Sequence, residues 1–230
     1  MHILKKLLLL AGIFALLAIA VTVVQVAALN FYNPHNTAWM RMRMREAAAQ
    51  KKEFQIRQTW RPFSQIPRTL QMAVIAAEDE KFYEHNGFDW ESMKQAREQN
   101  ERRNRIKRGA STISQQLAKN LFLSPERSYI RKAREAFITV LMELLLSKER
   151  ILELYLNCIE FGPGIFGVDE GARYHFGFAL KKLSLDQSCR LAAIIPAPLR
   201  YKVSGNYISR RAAVLAQIID GAPAVEESPQ

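Results

Sequence analysis

The sequence predicts a mainly α-helical domain behind one N-terminal transmembrane helix. Three observations carry that fold class. Leu7 to Leu29 is a 23-residue apolar run broken only by Gly12, Thr22 and Gln25. Beyond it, hydroxyl caps, prolines and glycines punctuate amphipathic stretches of helical length. No strand-like alternation persists, and no internal repeat occurs. A chain of 230 residues holds one domain of ordinary size plus an anchor.

The apolar run spans about 35 Å as a helix, enough to cross a bilayer with some tilt. Val26-Ala27-Ala28 would pass as a signal-peptide cleavage site. The run is longer than the ~7–15 residues of a signal h-region, which favours a retained anchor over residues 1–30. Lys5 and Lys6 before it are opposed by Arg41, Arg43 and Arg45 after it, so charge does not set the orientation. Residues 31–60 read as a juxtamembrane linker. Within it Met40 to Arg45 alternates Met and Arg, either a helix lying on lipid or a plain solvated one. The main domain is expected over 61–221, with 222–230 a disordered tail.

Pro67 fits the first turn of a helix running to about Glu84 and ending near Gly87. Its segment Met72 to Ala77 is too apolar for a surface helix. Residues 91–108 are polar, with five of seven positions basic from Arg102 to Arg108. Ser111 can cap a helix to about Leu123, and Ser124-Pro125 can open a long one through Leu146. Ser147 starts another through Asn157. Gly162 to Gly167 reads as a glycine-rich loop. Ser184 with Gln187 forms a capping-box pattern for a helix ending before Pro196, and Arg210 to Ile219 is a short last helix.

Lys plus Arg number 33 against 22 Asp plus Glu, a formal +11, so an anionic partner is expected. Cys158 and Cys189 are too few for a disulfide scaffold or a Cys-rich metal site, and both read as buried free thiols. Four scattered histidines, without HExxH or CxxC, argue against a dedicated transition-metal site.

Candidate chemistry sits in five constellations. In Glu78 to Gly87 a carboxylate follows six apolar residues, and desolvation there would tune Glu78 for base or acid work; the plainer alternative is a helix-surface charge. In Gly109 to Asn120 a glycine precedes a hydroxyl-rich helix N-terminus suited to an anion, with Gln115, Gln116 and Lys119 following on that helix; the plainer alternative is a capped amphipathic helix with its polar residues solvated. Arg127, Arg131 and Glu135 share one helix face. They read either as a phosphate or pyrophosphate clamp or as an ordinary salt-bridge ladder. Lys148 to Asn157 looks supportive. Gly167 to Gly177 reads either as a cleft wall or, like Lys148 to Asn157, as plain packing, and packing is the favoured reading of each block taken alone.

Together these blocks resemble, in order and spacing, the bacterial peptidoglycan glycosyltransferase family, most closely its monofunctional biosynthetic members. They read Glu78 to Gly87, Gly109 to Asn120, Arg131 to Glu135, Lys148 to Asn157 and Gly167 to Phe176, and the likeness covers roughly residues 61–220. His175 stands where the family's last block has tyrosine, and Ala110 where many members have glycine. No Ser-x-x-Lys occurs, so no transpeptidase is expected. The resemblance implies a lysozyme-like helical fold and polymerisation of lipid II into β-1,4 glycan with release of undecaprenyl pyrophosphate. It implies Glu78 as general base and Glu135 as the second important carboxylate. Lys119, Arg127 and Arg131 would meet the pyrophosphate, and Ser111, Gln116 and Asn120 would line the donor site. No cofactor is obligatory, although the pyrophosphate could carry a divalent cation, Mg2+ or Mn2+. The implied partners are lipid II, the growing strand, anionic membrane lipid and cell-wall synthesis proteins, with no nucleic acid. The implied location is the inner membrane, with the domain outside the cytoplasm. A lytic transglycosylase or muramidase shares such a fold, but cleaving a sugar–sugar bond calls for a general acid and has no use for a phosphate clamp. A membrane scaffold without activity is the other alternative.

Overall fold

Helix α1 (His2–Ala28) is long and apolar enough to cross a membrane, and its side chains face outward until its last turns. There the character changes. Val26 and Leu29 are buried in the main hydrophobic core, and Arg150 donates to the carbonyls of Leu29 at 2.7 Å and Tyr32 at 3.0 Å. The Asn30 amide donates to the Leu145 carbonyl at 3.0 Å. The span is therefore joined to the domain by its own last turn. The computed structural model describes residues 2–102, 111–124, 126 and 128–221. Arg127, Pro125, Gly109, Ala110, the basic stretch beyond Arg102 and the tail 222–230 lie outside the described residues.

The rest is mainly α-helical, as expected. After α2 (Ala38–Ala49), β1 (Arg57–Gln58) and a 3-10 turn come α3 (Arg68–Glu78), α4 (Trp90–Arg102), α5 (Ile113–Phe122), α6 (Tyr129–Leu145) and α7 (Lys148–Cys158). Then follow β2 (Glu160–Gly162), β3 (Ile165–Phe166), α8 (Val168–Phe176), α9 (Leu185–Ile194) and α10 (Asn206–Gly221). Helix α7 is buried from Ile151 through Cys158 except for Glu153, and a helix apolar on so many sides has to be central. Helix α5 packs on α7 and α6, while α9 is sandwiched between α3 and α10.

The caps at Ser147 and Ser184 are as read from the sequence, the latter with its full capping box to Gln187. Several boundaries differ. Helix α3 stops at Glu78, not near Glu84, because Asp79 leaves helical geometry (φ −164°, ψ 72°) and turns its carboxylate inward. Thr112, not Ser111, caps α5, and Ser128, not Ser124, caps α6. The last helix begins four residues before Arg210, at Asn206.

The segment read as a linker packs onto the domain instead. Met40 in α2 is fully buried and Arg43 pairs with Glu160 at 2.8 Å, so the Met/Arg alternation does not divide between lipid and water at these positions. Strand β1 pairs parallel to β3, which pairs antiparallel to β2. The glycine-rich loop is thus a short hairpin within a three-stranded sheet. Both cysteines are buried free thiols.

Candidate active site

The end of α3 and the start of α5 are built as one unit. Asp79 accepts the Ile113 N–H, the first residue of α5, at 2.9 Å and the His85 Nε2–H at 2.8 Å. Because the Gly87 N–H donates to His85 Nδ1 (3.1 Å), the ring proton sits on Nε2, facing Asp79. Gly87 takes φ +88°, and a Cβ there would lie 2.8 Å from Thr139. Its carbonyl accepts from the Thr112 hydroxyl at 2.7 Å. Lys148, placed by α7, donates to the His85 carbonyl at 2.6 Å and to Glu143, which also accepts from Ser114. This network fixes the chain on both sides of Glu78.

Glu78 is the last residue of α3 and lines a cleft of about 740 Å³. Its Oε2 accepts from the Gln116 amide at 2.8 Å, and its Oε1 has no partner among the described residues. Gln116 is aimed by the buried Tyr155, whose hydroxyl donates to the amide oxygen at 2.9 Å. Burial raises the Glu78 carboxyl above its ordinary value, while the Gln116 hydrogen bond and the Arg211 charge pull it the other way. Burial also lifts the Tyr155 phenol well above its ordinary range, so it remains a neutral donor.

Ser111 and Gln116 line the same cleft, which continues along the α10 face carrying Tyr207, Arg211, Val214 and Ile218. Lys119, Arg131 and Glu135 do not line it; they gather farther along α5. One turn after Gln116, Lys119 is half-buried. That burial lowers its pKa, with Glu135 and Glu78 favouring the charged form and Arg131 and Lys132 opposing it. On α6, buried Glu135 accepts from Arg131 at 2.6 Å and is paired with Lys132. Arg131 keeps an Nε–H without a partner among the described residues. Asn120 is half-buried one turn from Gln116 with no side-chain hydrogen bond among the described residues.

The structure thus joins Glu78, Gln116 and Ser111 in one cleft and links them through α5 to the cluster of Lys119, Arg131 and Glu135. Gly167 to Gly177 is not part of this cleft wall. Asp169 pairs with Arg173 within α8 and with Arg61, and Glu170 pairs with Arg57 of β1, so Arg61 and Arg57 fasten α8 to the sheet side. Three neighbours of the site went unread. Arg211 donates to the Ala77 carbonyl at 3.1 Å from 134 residues away. Trp39 lies against Lys119, and Glu160 holds Trp39. Only the lone tryptophan in a basic stretch offered a signal, and it named no partner.

Among the described residues no group of three or more His, Cys, Asp or Glu side chains is placed to hold a metal ion. Both oxygens of Glu135 are already engaged by cations. Around Glu135 the described side chains thus present cations. The described residues offer a desolvated carboxylate bonded to Gln116, which stands one helical turn before Lys119 on α5.

A sequence model described as Transglycosylase matches residues 42–219. The chain is 48% identical over 205 residues to a biosynthetic peptidoglycan transglycosylase of Azoarcus sp. (strain BH72), covering 89% of this chain and 87% of the relative. A protein of the same name from Aromatoleum aromaticum is 49% identical over 173 residues, 75% of each chain. One from Pseudomonas aeruginosa is 46% identical over 200 residues, 86% of each chain.

Proposed function

Because this chain belongs to the transglycosylase family, whose domain is lysozyme-like and helical, we propose that it is a peptidoglycan glycosyltransferase that polymerises lipid II into β-1,4 glycan. The observation that carries this reading is the placement along α5: Gln116 holds the base, and Lys119 follows one turn on beside Arg131 and Glu135. Glu78 takes the proton from the acceptor sugar's 4-hydroxyl. That oxygen bonds to C1 of the donor as the C1–O bond to undecaprenyl pyrophosphate breaks, and the electron pair leaves with the pyrophosphate. Attack from the face opposite the leaving group inverts C1.

A pyrophosphate is a good leaving group and needs cations more than a proton. Lys119 and Arg131 supply positive charge here, Arg127 adjoins them in sequence, and Glu135 orients Arg131. Ser111 and Asn120 complete the donor side. The spanning helix α1 keeps the domain beside a lipid-linked substrate, at the inner membrane with the cleft outside the cytoplasm. Cell-wall synthesis proteins are the fitting protein partners. The absence of Ser-x-x-Lys leaves the chain without a transpeptidase nucleophile motif.

The test is incubation of the detergent-purified protein with fluorescent lipid II, followed by gel separation, with Glu78→Gln alongside. Polymer from the wild type and none from the folded variant is expected. Shortening of preformed glycan without polymer would turn the reading to lysis. Polymer from both proteins would remove Glu78 from its role.

A further inference from the structure

Lys119 differs from the other cations of its cluster in what holds it. Arg131 and Lys132 are both bonded to Glu135, so part of their charge is already answered. The Lys119 ammonium has no hydrogen-bond or ion-pair partner among the described residues. Among the described residues its ring contact is the indole of Trp39, with Nζ 5.5 Å from the ring centroid. The indole is itself fixed. Its N–H donates to Glu160 Oε2 at 3.0 Å, and Arg43 donates to that same oxygen at 2.9 and 2.8 Å while lying 5.2 Å from the ring centroid. Helix α2 packs on α5 with Met40 buried, and Thr37 caps its first turn.

The choice of an aromatic ring has a chemical consequence. A carboxylate beside Lys119 would hold the charge but occupy its N–H donors and cancel its field. A ring face stabilises a partly desolvated ammonium through the quadrupole and leaves the three N–H donors free. We infer that Trp39 is a positioning residue for the transfer reaction, holding Lys119 charged and aimed at the departing pyrophosphate while Glu160 and Arg43 hold the ring. The inference rests on the polymerase reading above. It ties the segment that follows the membrane span directly to the leaving-group side of the site.

The experiment compares full-length wild type, Trp39→Phe and Trp39→Leu on fluorescent lipid II, with thermal melting of each in the same detergent. Phe keeps a ring face but loses the bond to Glu160; Leu keeps apolar bulk and loses the ring. Expected is a fall of about ten-fold in kcat for Leu, with KM nearly unchanged, and retention of most activity by Phe. Should the Leu variant not fold, Trp39→Met replaces it as the variant without a ring. A folded ringless variant as active as wild type overturns the inference. So does equal loss in Phe and the ringless variant, which would assign the effect to packing or to the indole N–H, or a loss confined to KM. A wild type that makes no polymer overturns the polymerase reading and this inference with it, an outcome distinct from all of those.

Discussion

Glu78 reaches the cleft with one oxygen bonded to Gln116 and the other without a partner among the described residues, and burial disfavours its charge. A raised carboxyl pKa means that the folded state binds the proton more tightly than the unfolded chain. Stability then falls as pH rises above the ordinary value of 4.5, and the loss is complete once pH passes the raised folded-state value. Glu78→Gln removes that charge without removing volume. It should abolish polymerisation while raising Tm by about 2–4 °C, the shift that ~1 kcal/mol gives a chain of this size. Thermal melting at pH 7.5 checks it, and a lower Tm would mean that the carboxylate stabilises its surroundings. Lys119 is displaced in the opposite sense. A base that must be ionised and an ammonium that must stay protonated give a bell-shaped profile of kcat against pH. Its acid limb should lie above 4.5 and its alkaline limb below 10.5. Lys119→Arg keeps a charge that does not titrate in this range, so its residual activity should lose the alkaline limb and keep the acid one.

At the scale of the elements, the site depends on the junction between α3 and α5. Asp79 ends one helix and accepts the first N–H of the other, so Asp79→Ala leaves the Ile113 N–H and the His85 ring proton without acceptors. The expected cost is about 2–4 kcal/mol, read from denaturant unfolding. Asp79→Asn, which keeps an acceptor for Ile113, should cost less. The same junction marks how far the sequence was legible. Periodicity and caps located the core helices, and Glu78, Gln116 and Lys119 could be placed because each lies on a strongly patterned helix. The early end of α3 was hidden, since the cause is a side chain bonding 34 residues away. The sheet was missed because strands of two and three residues are too short to show alternation. Helix α4, polar along its length, gave no periodic signal. Helix α2 read as a linker because its partners, Glu160 and Lys119, lie far along the chain. Arg211 shares the cleft with Glu78 for a similar reason: only the packing of α10 brings them together.

Across the whole molecule, the long apolar helix α1 and the main domain share a core. Val26 and Leu29 belong to the same buried cluster as Leu152 and Met142, and Arg150 grips the chain just after the span through Leu29, Tyr32 and Asn33. A flexible tether would let the domain tumble beneath the bilayer. A docked one fixes the cleft's height and tilt relative to α1, as the proposed lipid-linked substrate would require. Cleavage after Ala28 would remove Val26 from the core, which argues for retention of α1. Two truncated forms isolate the effect, one beginning at residue 25 and the other at residue 31. Both lack nearly all of the span, so they differ only in the last turn of α1 and its docking contacts. Burial of two apolar side chains contributes on the order of 3 kcal/mol, and for a chain of this size the longer form should melt about 5–10 °C higher. Calorimetry in identical buffer reads the difference. Equal melting temperatures would mean that the docked turn contributes nothing to the fold, and the span would then act as an anchor alone.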